Sequence, residues 1–334
     1  MKSSKITNPM VNRKVSIVMY HYVRDLQNGR YPKIKGLDIV LFKEQLKYLK
    51  KHYHFITMEM LIDSIDNNSA LPNKSVLLTF DDAYIDHFNY VFPVLDENRI
   101  QGSFFPPVKA ITNNLVLDVN KIHFILAQED DKSKVISEIK CELNKYRKEY
   151  NLESDSFFYK KLAHSTRYDS ADIQFIKRLL QVELDENLRK IITNNLFEKV
   201  VQMDENSFSR ELYMDVEQIK CMQRNGMHIG CHGYDHYWLG TLTKENQRNE
   251  INKSLEFLKD VGADLKNWTM CYPYGNYDIK TLELLSEYKC KLALTTETNI
   301  ADLWDFNKYE LPRLDTNDIP KGEKLNINDW YYIG

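Results

Sequence analysis

The chain has 334 residues, enough for about two ordinary domains or one large α/β barrel. Hydrophobic residues make up 43% and charged residues 28%, while 11 Gly and 9 Pro are too few for a collagenous or low-complexity chain. A net charge of -3 supplies no basic field for a phosphate backbone, so nucleic acid is not an expected partner.

The chain opens with basic residues Lys2, Lys5, Arg13 and Lys14. The apolar run behind them, 15–20, is shorter than the roughly 7–15 residues of a secretory core, and no small-residue cleavage site follows. No stretch approaches the ~20 apolar residues that span a bilayer, so no transmembrane segment is expected. Five cysteines, at 141, 221, 231, 271 and 290, are odd in number and lack CxxC spacing. That argues against a disulfide framework and for a reducing, cytoplasmic location.

In chain order, apolar runs at 15–20, 75–80, 102–107, 227–231, 268–272 and 291–295 read as strands. Helical patterns lie between them at 41–51, 58–66, 85–98, 216–225, 244–261 and 279–288, with apolar residues three and four apart. Ile251, Leu255 and Leu258 show that spacing, as do Leu282 and Leu285. Gly226 and Gly262 supply stop signals. Alternating strands and helices predict an α/β fold: a distorted (β/α) barrel of about six to seven parallel strands. From 114 to 206 the pattern is helical and charged, with pieces at 119–128, 134–148, 171–180 and 186–201. Its flanks carry no Pro/Gly/Ser linker, so it is expected as a helical insertion, with 1–113 and 207–334 forming the barrel.

Four motifs carry chemistry. Asp81 and Asp82 stand at the end of the second strand, and adjacent carboxylates repel unless a cation relieves them. One would then be a metal ligand and the other a base, although such doublets also cap helices and turns. His232 and His236 stand four apart beyond the fourth strand. With a carboxylate they would form a three-ligand site with open positions, although a chance pair of this spacing is not rare. An HExxH zincin is excluded, since no Glu follows His232 and Gly233 disfavours a helix; His228 reads as a structural residue within the strand. The turn at 271–278, with Pro273, Tyr274 and Gly275, would expose backbone N–H groups as an oxyanion hole, or be an ordinary turn capped by Asp278. His21 follows the first strand as a general acid or a satisfied buried imidazole. All four lie at the C-terminal ends of predicted parallel strands, where barrel enzymes gather their active sites.

At these positions the chain resembles the polysaccharide deacetylases, the NodB-homology carbohydrate esterases, over roughly 13–110 and 213–315. Thr79-Phe80-Asp81-Asp82 is similar to the family's first motif, which implies Asp81 as base and Asp82 as metal ligand. His232 and His236 match the second motif's metal-binding histidines, and Tyr272-Pro273-Tyr274-Gly275 resembles the third, whose Tyr N–H supports the oxyanion. In the common arrangement the general-acid His lies near the C-terminus. His21 is its counterpart here, as in the circularly permuted branch that deacetylates extracellular glucosamine polymers. Three positions depart from the family. Ala83 replaces a Gly, Gly233 replaces a Ser or Thr that steadies the loop, and Cys271 replaces an Arg that pairs with the base. Arg313, near a late strand end, is expected to supply that charge, unless it is a surface residue.

The resemblance implies a divalent ion, zinc, on Asp82, His232 and His236, which polarises an acetyl carbonyl and acidifies water. Asp81 would take the water's proton, Tyr274 would steady the oxyanion, and His21 would protonate the departing amine. Tyr234, Tyr237, Trp238 and Tyr272 are candidates to stack on sugar rings. The expected partner is an N-acetylated carbohydrate, nucleotide-linked, lipid-linked or an oligosaccharide, met during surface-glycan biosynthesis. Two rivals stay open: hydrolysis of another amide such as N-formyl, and an inactive glycan-binding protein. A structural subunit is the least favoured reading. The helical insertion is expected to line the cleft or to form a homo-oligomer interface, and 329–332 to face sugar or core.

Overall fold

The computed structural model describes residues 12–166, 169–322 and 325–334; Lys2 and Lys5 lie outside these. They divide into two compact units, the first being the chain through Arg24, Leu37–Thr112 and Leu212–Gly334. The second is Asp25–Gly36 with Asn113–Glu211, so it takes in a short early segment that the sequence reading leaves with the strands.

Among the described residues, eleven strands lie in the first unit: β1 Lys14–Tyr20, β2 Val23–Arg24, β3 Leu37–Asp38, β4 His54–Phe55, β5 Ser75–Asp81, β6 Gly102–Phe105, β7 His228–Ile229, β8 Met270–Cys271, β9 Ala293–Leu294, β10 Ala301–Asp302 and β11 Leu314–Asp315. The main sheet runs β10-β1-β5-β6-β7, with β11 also on β1 and β4 also on β5. All its pairings are parallel except β1 with β10. β1 and β5 align Val15 with Ser75 through Tyr20 with Phe80, and β5 with β6 aligns Asp81 with Phe105. Every residue of β5 and β6 is buried, which is why these strands read as unbroken apolar runs rather than alternating ones. β8 pairs with β9 in parallel, and single parallel bridges join Cys231 to Met270 and Leu294 to Leu311. β2 and β3 form a separate parallel pair.

Helices cover the strands, and several are started by a side chain that accepts an otherwise unpaired N–H. Asp38 caps Ile39–His52, Thr57 caps Met58–Asn67, and Thr243 caps Lys244–Asp260. Asp215 with Gln218, and Asp278 with Thr281, form reciprocal capping boxes at Val216–Arg224 and Ile279–Glu287. The expected single helix at 85–98 is instead a π-helical turn, His87–Val91, followed by Phe92–Glu97. Pro93 offers no N–H and crowds the carbonyl four residues earlier, and the Phe92 N–H reaches back to the His87 oxygen. The core beneath Met58–Asn67 packs Val15, Ile17, Leu61, Leu77, Phe105, Leu292 and Leu294 together.

The second unit is helical, with Asp118–Gln128, Lys132–Tyr146, Asp155–Leu162, Ala171–Arg178 and Glu186–Val201 as its main members. No strand occurs among the described residues between β6 and β7. Ile122, Ile139, Leu143, Phe175, Leu188 and Ile192 form its apolar interior. Buried charges are paired there, among them Lys121 with Glu205 at 2.7 Å, and Asp169 with Lys35 at 2.6 Å and Lys177 at 2.7 Å. Early residue Tyr31 sits edge-on to Phe124 at 4.9 Å, which explains why Asp25–Gly36 groups with this unit. No helix among the described residues is long and apolar enough to cross a membrane.

Candidate active site

β5 ends at Asp81, and the chain then turns through two residues with left-handed backbones, Asp82 (φ 71°) and Ala83 (φ 51°). That turn points the two carboxylates in different directions. Asp82 Oδ2 accepts from the Tyr84 hydroxyl at 2.7 Å. Its Oδ1 is buried without a hydrogen-bond partner and faces the Nε2 atoms of both His232 and His236 at 3.4 Å. The three ligand atoms lie within 4.8 Å of one another.

His232 follows β7, and its Nδ1 lies 2.7 Å from the Cys271 carbonyl oxygen. A carbonyl only accepts, so Nδ1 carries a proton in either charge state, and in the neutral imidazole Nε2 is the nitrogen left free to ligate. His236 lies beyond a turn begun by Gly233 (φ 73°) and itself has φ 55°. An orphaned carboxylate oxygen and two imidazole nitrogens converging on one point fit a divalent cation, and the N/O donor set suits zinc. Burial opposes charge on both imidazoles. Even so, Cys271 and Asp82 hold His232 well above its ordinary value, while burial keeps His236 below its own. A cation held here would therefore have to displace a proton from His232 but not from His236.

Asp81 is committed elsewhere. Arg313, which is 1% exposed, grips it with two parallel hydrogen bonds: Nη1 to Oδ1 at 3.0 Å and Nη2 to Oδ2 at 2.8 Å. Arg313 is itself held by the Thr295 carbonyl oxygen at 2.8 Å and by Thr79 Oγ1 at 3.2 Å. Burial pushes the Asp81 pKa up, but the Arg313 guanidinium, then His232 and His21, outweigh it and hold the pKa at about 2. The Cys271 thiol, standing where the family places an Arg, donates to Asp81 Oδ2 at 3.4 Å. His21 Nε2 is 3.9 Å from the same oxygen, with its side chain 41% exposed. His87 Nε2 donates to the His21 carbonyl oxygen at 2.7 Å.

Tyr274 sits in the tight turn Pro273–Gly275 with φ 58°, its ring edge-on to His236 and stacked on Trp238, each at 4.7 Å between centroids. Tyr234 lies under Lys253 Nζ at 4.5 Å, and Tyr234, Tyr237 and Trp238 are all half-buried on the histidine loop. Tyr272 is a correction. At 1% exposure it has no face for a sugar: it stacks on Tyr277 and donates its hydroxyl to the Tyr309 carbonyl. Tyr272 N–H pairs with Leu294 O, which turns the side chain into the core. At the C-terminus, Tyr331 packs edge-on to Tyr53, whereas Tyr332 is exposed.

Sequence reasoning misses Tyr84, His87 and Glu250, which hydrogen-bond Asp82, the His21 carbonyl and the histidine loop. Glu250 had a signal: with Gln247, Ile251 and Ser254 it lies on the buried face of Lys244–Asp260, where an acid is costly unless paired.

The sequence model of the polysaccharide deacetylase family matches residues 184–293, which contain His232, His236 and Tyr274 but not Asp81 or Asp82. YxkH of Bacillus subtilis (strain 168), named for the polysaccharide deacetylases, is 28% identical over 108 residues, spanning 32% of this chain and 38% of that protein. Among solved structures, the Streptococcus pyogenes deacetylase PplD superposes with a TM-score of 0.54 at 17% identity, covering 90% of this chain and 92% of its own. IcaB of Ammonifex degensii gives 0.52 at 18% identity, covering 92% and 93%. The BpsB deacetylase domain of Bordetella bronchiseptica gives 0.53 at 13%, covering 92% and 97%. At such identities the structures share the fold. With the partial family match, they bear out the resemblance read from the motifs: this chain is similar to the polysaccharide deacetylases in sequence over residues 184–293 and in fold over most of its length.

Proposed function

We propose that this protein is a metal-dependent N-deacetylase that hydrolyses the acetyl amide of an N-acetylated amino sugar, within surface-glycan biosynthesis. The observation that carries the reading is the buried, unpartnered Asp82 oxygen facing two imidazole nitrogens, with an Arg-held carboxylate on the adjacent residue. Asp82, His232 and His236 would hold the ion. When bound, a divalent ion supplies Lewis acidity toward an acyl oxygen and water. Asp81, with a pKa of about 2, is ionised at neutral pH and would be the acceptor of the attacking water's proton. Tyr274, on the turn beside His236, is the proposed donor to the acyl oxygen. His21, partly exposed and near Asp81, gives a proton to the leaving nitrogen, so acetate and a free amine depart with no covalent enzyme intermediate.

Placing the acid on His21, before the metal motifs, makes this a circularly permuted site. The bridges at Cys231–Met270 and Leu294–Leu311, between parallel pairs, support a distorted barrel as its scaffold. Five free thiols favour a reducing, cytoplasmic setting and hence a nucleotide- or lipid-linked substrate. The first test is metal stoichiometry by mass spectrometry on wild type, Asp82→Ala and His232→Ala. Near one ion per chain, lost in both variants, with acetate released from N-acetyl sugars by wild type alone, is expected. No specific ion after zinc reconstitution would overturn the reading.

A further inference from the structure

The histidine loop lacks a side chain of its own at its first bend, since Gly233 has a left-handed backbone. What occupies that space comes from another helix. A Cβ at 233 would lie 3.3 Å from Glu250 Oε2 and 3.4 Å from Pro273 Cγ. The same Glu250 oxygen accepts from the backbone N–H groups of Tyr234 at 2.9 Å and Asp235 at 2.8 Å. These are two consecutive peptides between His232 and His236. Opposite them, the loop's carbonyls are held by the segment after β6: Val108 N–H donates to Gly233 O at 3.3 Å and Lys109 N–H to Tyr234 O at 2.8 Å. The Lys109 ammonium also pairs with the Asp235 carboxylate. Glu250 is 6% exposed, and its own carbonyl oxygen accepts from Ser254 Oγ at 2.8 Å within Lys244–Asp260. A buried carboxylate survives only where donors satisfy it, and here the donors are the loop's own amides.

We propose that Glu250 is a positioning residue of the cation site: its carboxylate fixes the loop so that the His232 and His236 nitrogens meet at one point before any ion arrives. This rests on the metal reading of Asp82, His232 and His236. Without the carboxylate, two partly buried N–H groups lose their acceptor and the loop must be ordered at the expense of metal binding.

The test uses the full-length protein and Zn2+ itself, with affinity read by competition against a chromophoric chelator. Hydrogen exchange of the peptide spanning 233–237 is followed in the metal-free protein. Removing groups that orient metal ligands typically weakens binding by about 10–100-fold, which is the loss expected for Glu250→Ala. Its amides at 234 and 235 should also exchange faster while the thermal transition stays cooperative. Glu250→Gln retains an oxygen able to accept from both N–H groups and should stay close to wild type in both readouts. Glu250→Asp, one methylene short of the loop, should fall with Ala and serves if Ala does not fold. Wild-type affinity in both shortened variants, or unchanged exchange at the loop, overturns the proposal alone. Absence of any Zn2+ binding by wild type overturns the metal reading and this one with it.

Discussion

The two neighbouring carboxylates are chemically unlike because of what each touches. Asp82 keeps one oxygen unpaired beside two imidazoles, whereas both Asp81 oxygens are forked by Arg313. Desolvation alone would raise the Asp81 pKa; the guanidinium, at 2.8 and 3.0 Å, brings it to about 2. Arg313→Ala therefore strands a buried carboxylate, and its pKa should rise by about one to three units. Activity that needs ionised Asp81 would then fail at higher pH on the acid side, so the acid limb of kcat/KM should move upward. Arg313→Lys restores the charge without the fork and should give an intermediate limb. Truncating one partner of a buried pair also costs about 3–5 kcal/mol, so folding is checked by circular dichroism alongside. An unchanged pH profile in Arg313→Ala would remove Arg313 from the mechanism.

Turns rather than helices or strands set the geometry of the site, and Pro273–Gly275 is the most constrained of them. Gly275 has φ 65°, and a Cβ there would lie 2.1 Å from Thr296 Oγ1 and 3.0 Å from Thr296 Cβ. Gly275→Ala should cost more than about 1 kcal/mol through left-handed strain and steric conflict, measured by thermal unfolding. Adding Thr296→Ala should return only the steric part, so a fully additive double mutant would contradict this account. The turns at Gly233 and Pro273–Gly275 were legible in the sequence, because Pro and Gly mark them and apolar runs precede them. β1 and β5 were equally legible, since burial on both faces makes continuous apolar runs. The later strands read as five residues each but pair over only two, because their contacts pass through single bridges that leave no periodic trace. Antiparallel β10 has no apolar run to announce it. Tyr272 was misread because an aromatic beside a functional turn looks the same in sequence whether it faces the cleft or the core. Arg313 was reached from its place near a strand end; its fork on Asp81 spans 232 residues and belongs to tertiary structure alone.

At the scale of the whole molecule, one imidazole ties the central sheet to the site and makes its stability depend on pH. His87 packs against Phe80 of β5 and Phe104 of β6 and donates from Nε2 to the carbonyl oxygen of His21, just past β1. Its Nδ1 is buried with no partner, so a second proton there would be an uncompensated charge. Burial accordingly lowers the His87 pKa from 6.5 to about 4. The unfolded chain takes up this proton below 6.5 while the folded one resists until about 4. Stability from this group is thus complete above 6.5 and lost as pH falls through that window, on the order of 3 kcal/mol in full. Glu250 acts in the opposite sense. Burial raises its pKa from 4.5 to about 7, so the folded state binds the extra proton and gains stability as pH falls between those values. His228, lowered to about 4 by burial, adds to the histidine side. In His87→Gln the amide can still donate to His21 O, but one histidine contribution is gone. Its absolute stability should be lower at pH 7.5, and its loss between pH 7.5 and 5 should be smaller than that of wild type. Urea unfolding of the metal-free protein reads this directly, since all four tryptophans (238, 268, 304 and 330) lie in the unit that contains His87. Equal losses in the two proteins would mean that His87 is already charged in the folded state and that the sheet tolerates it.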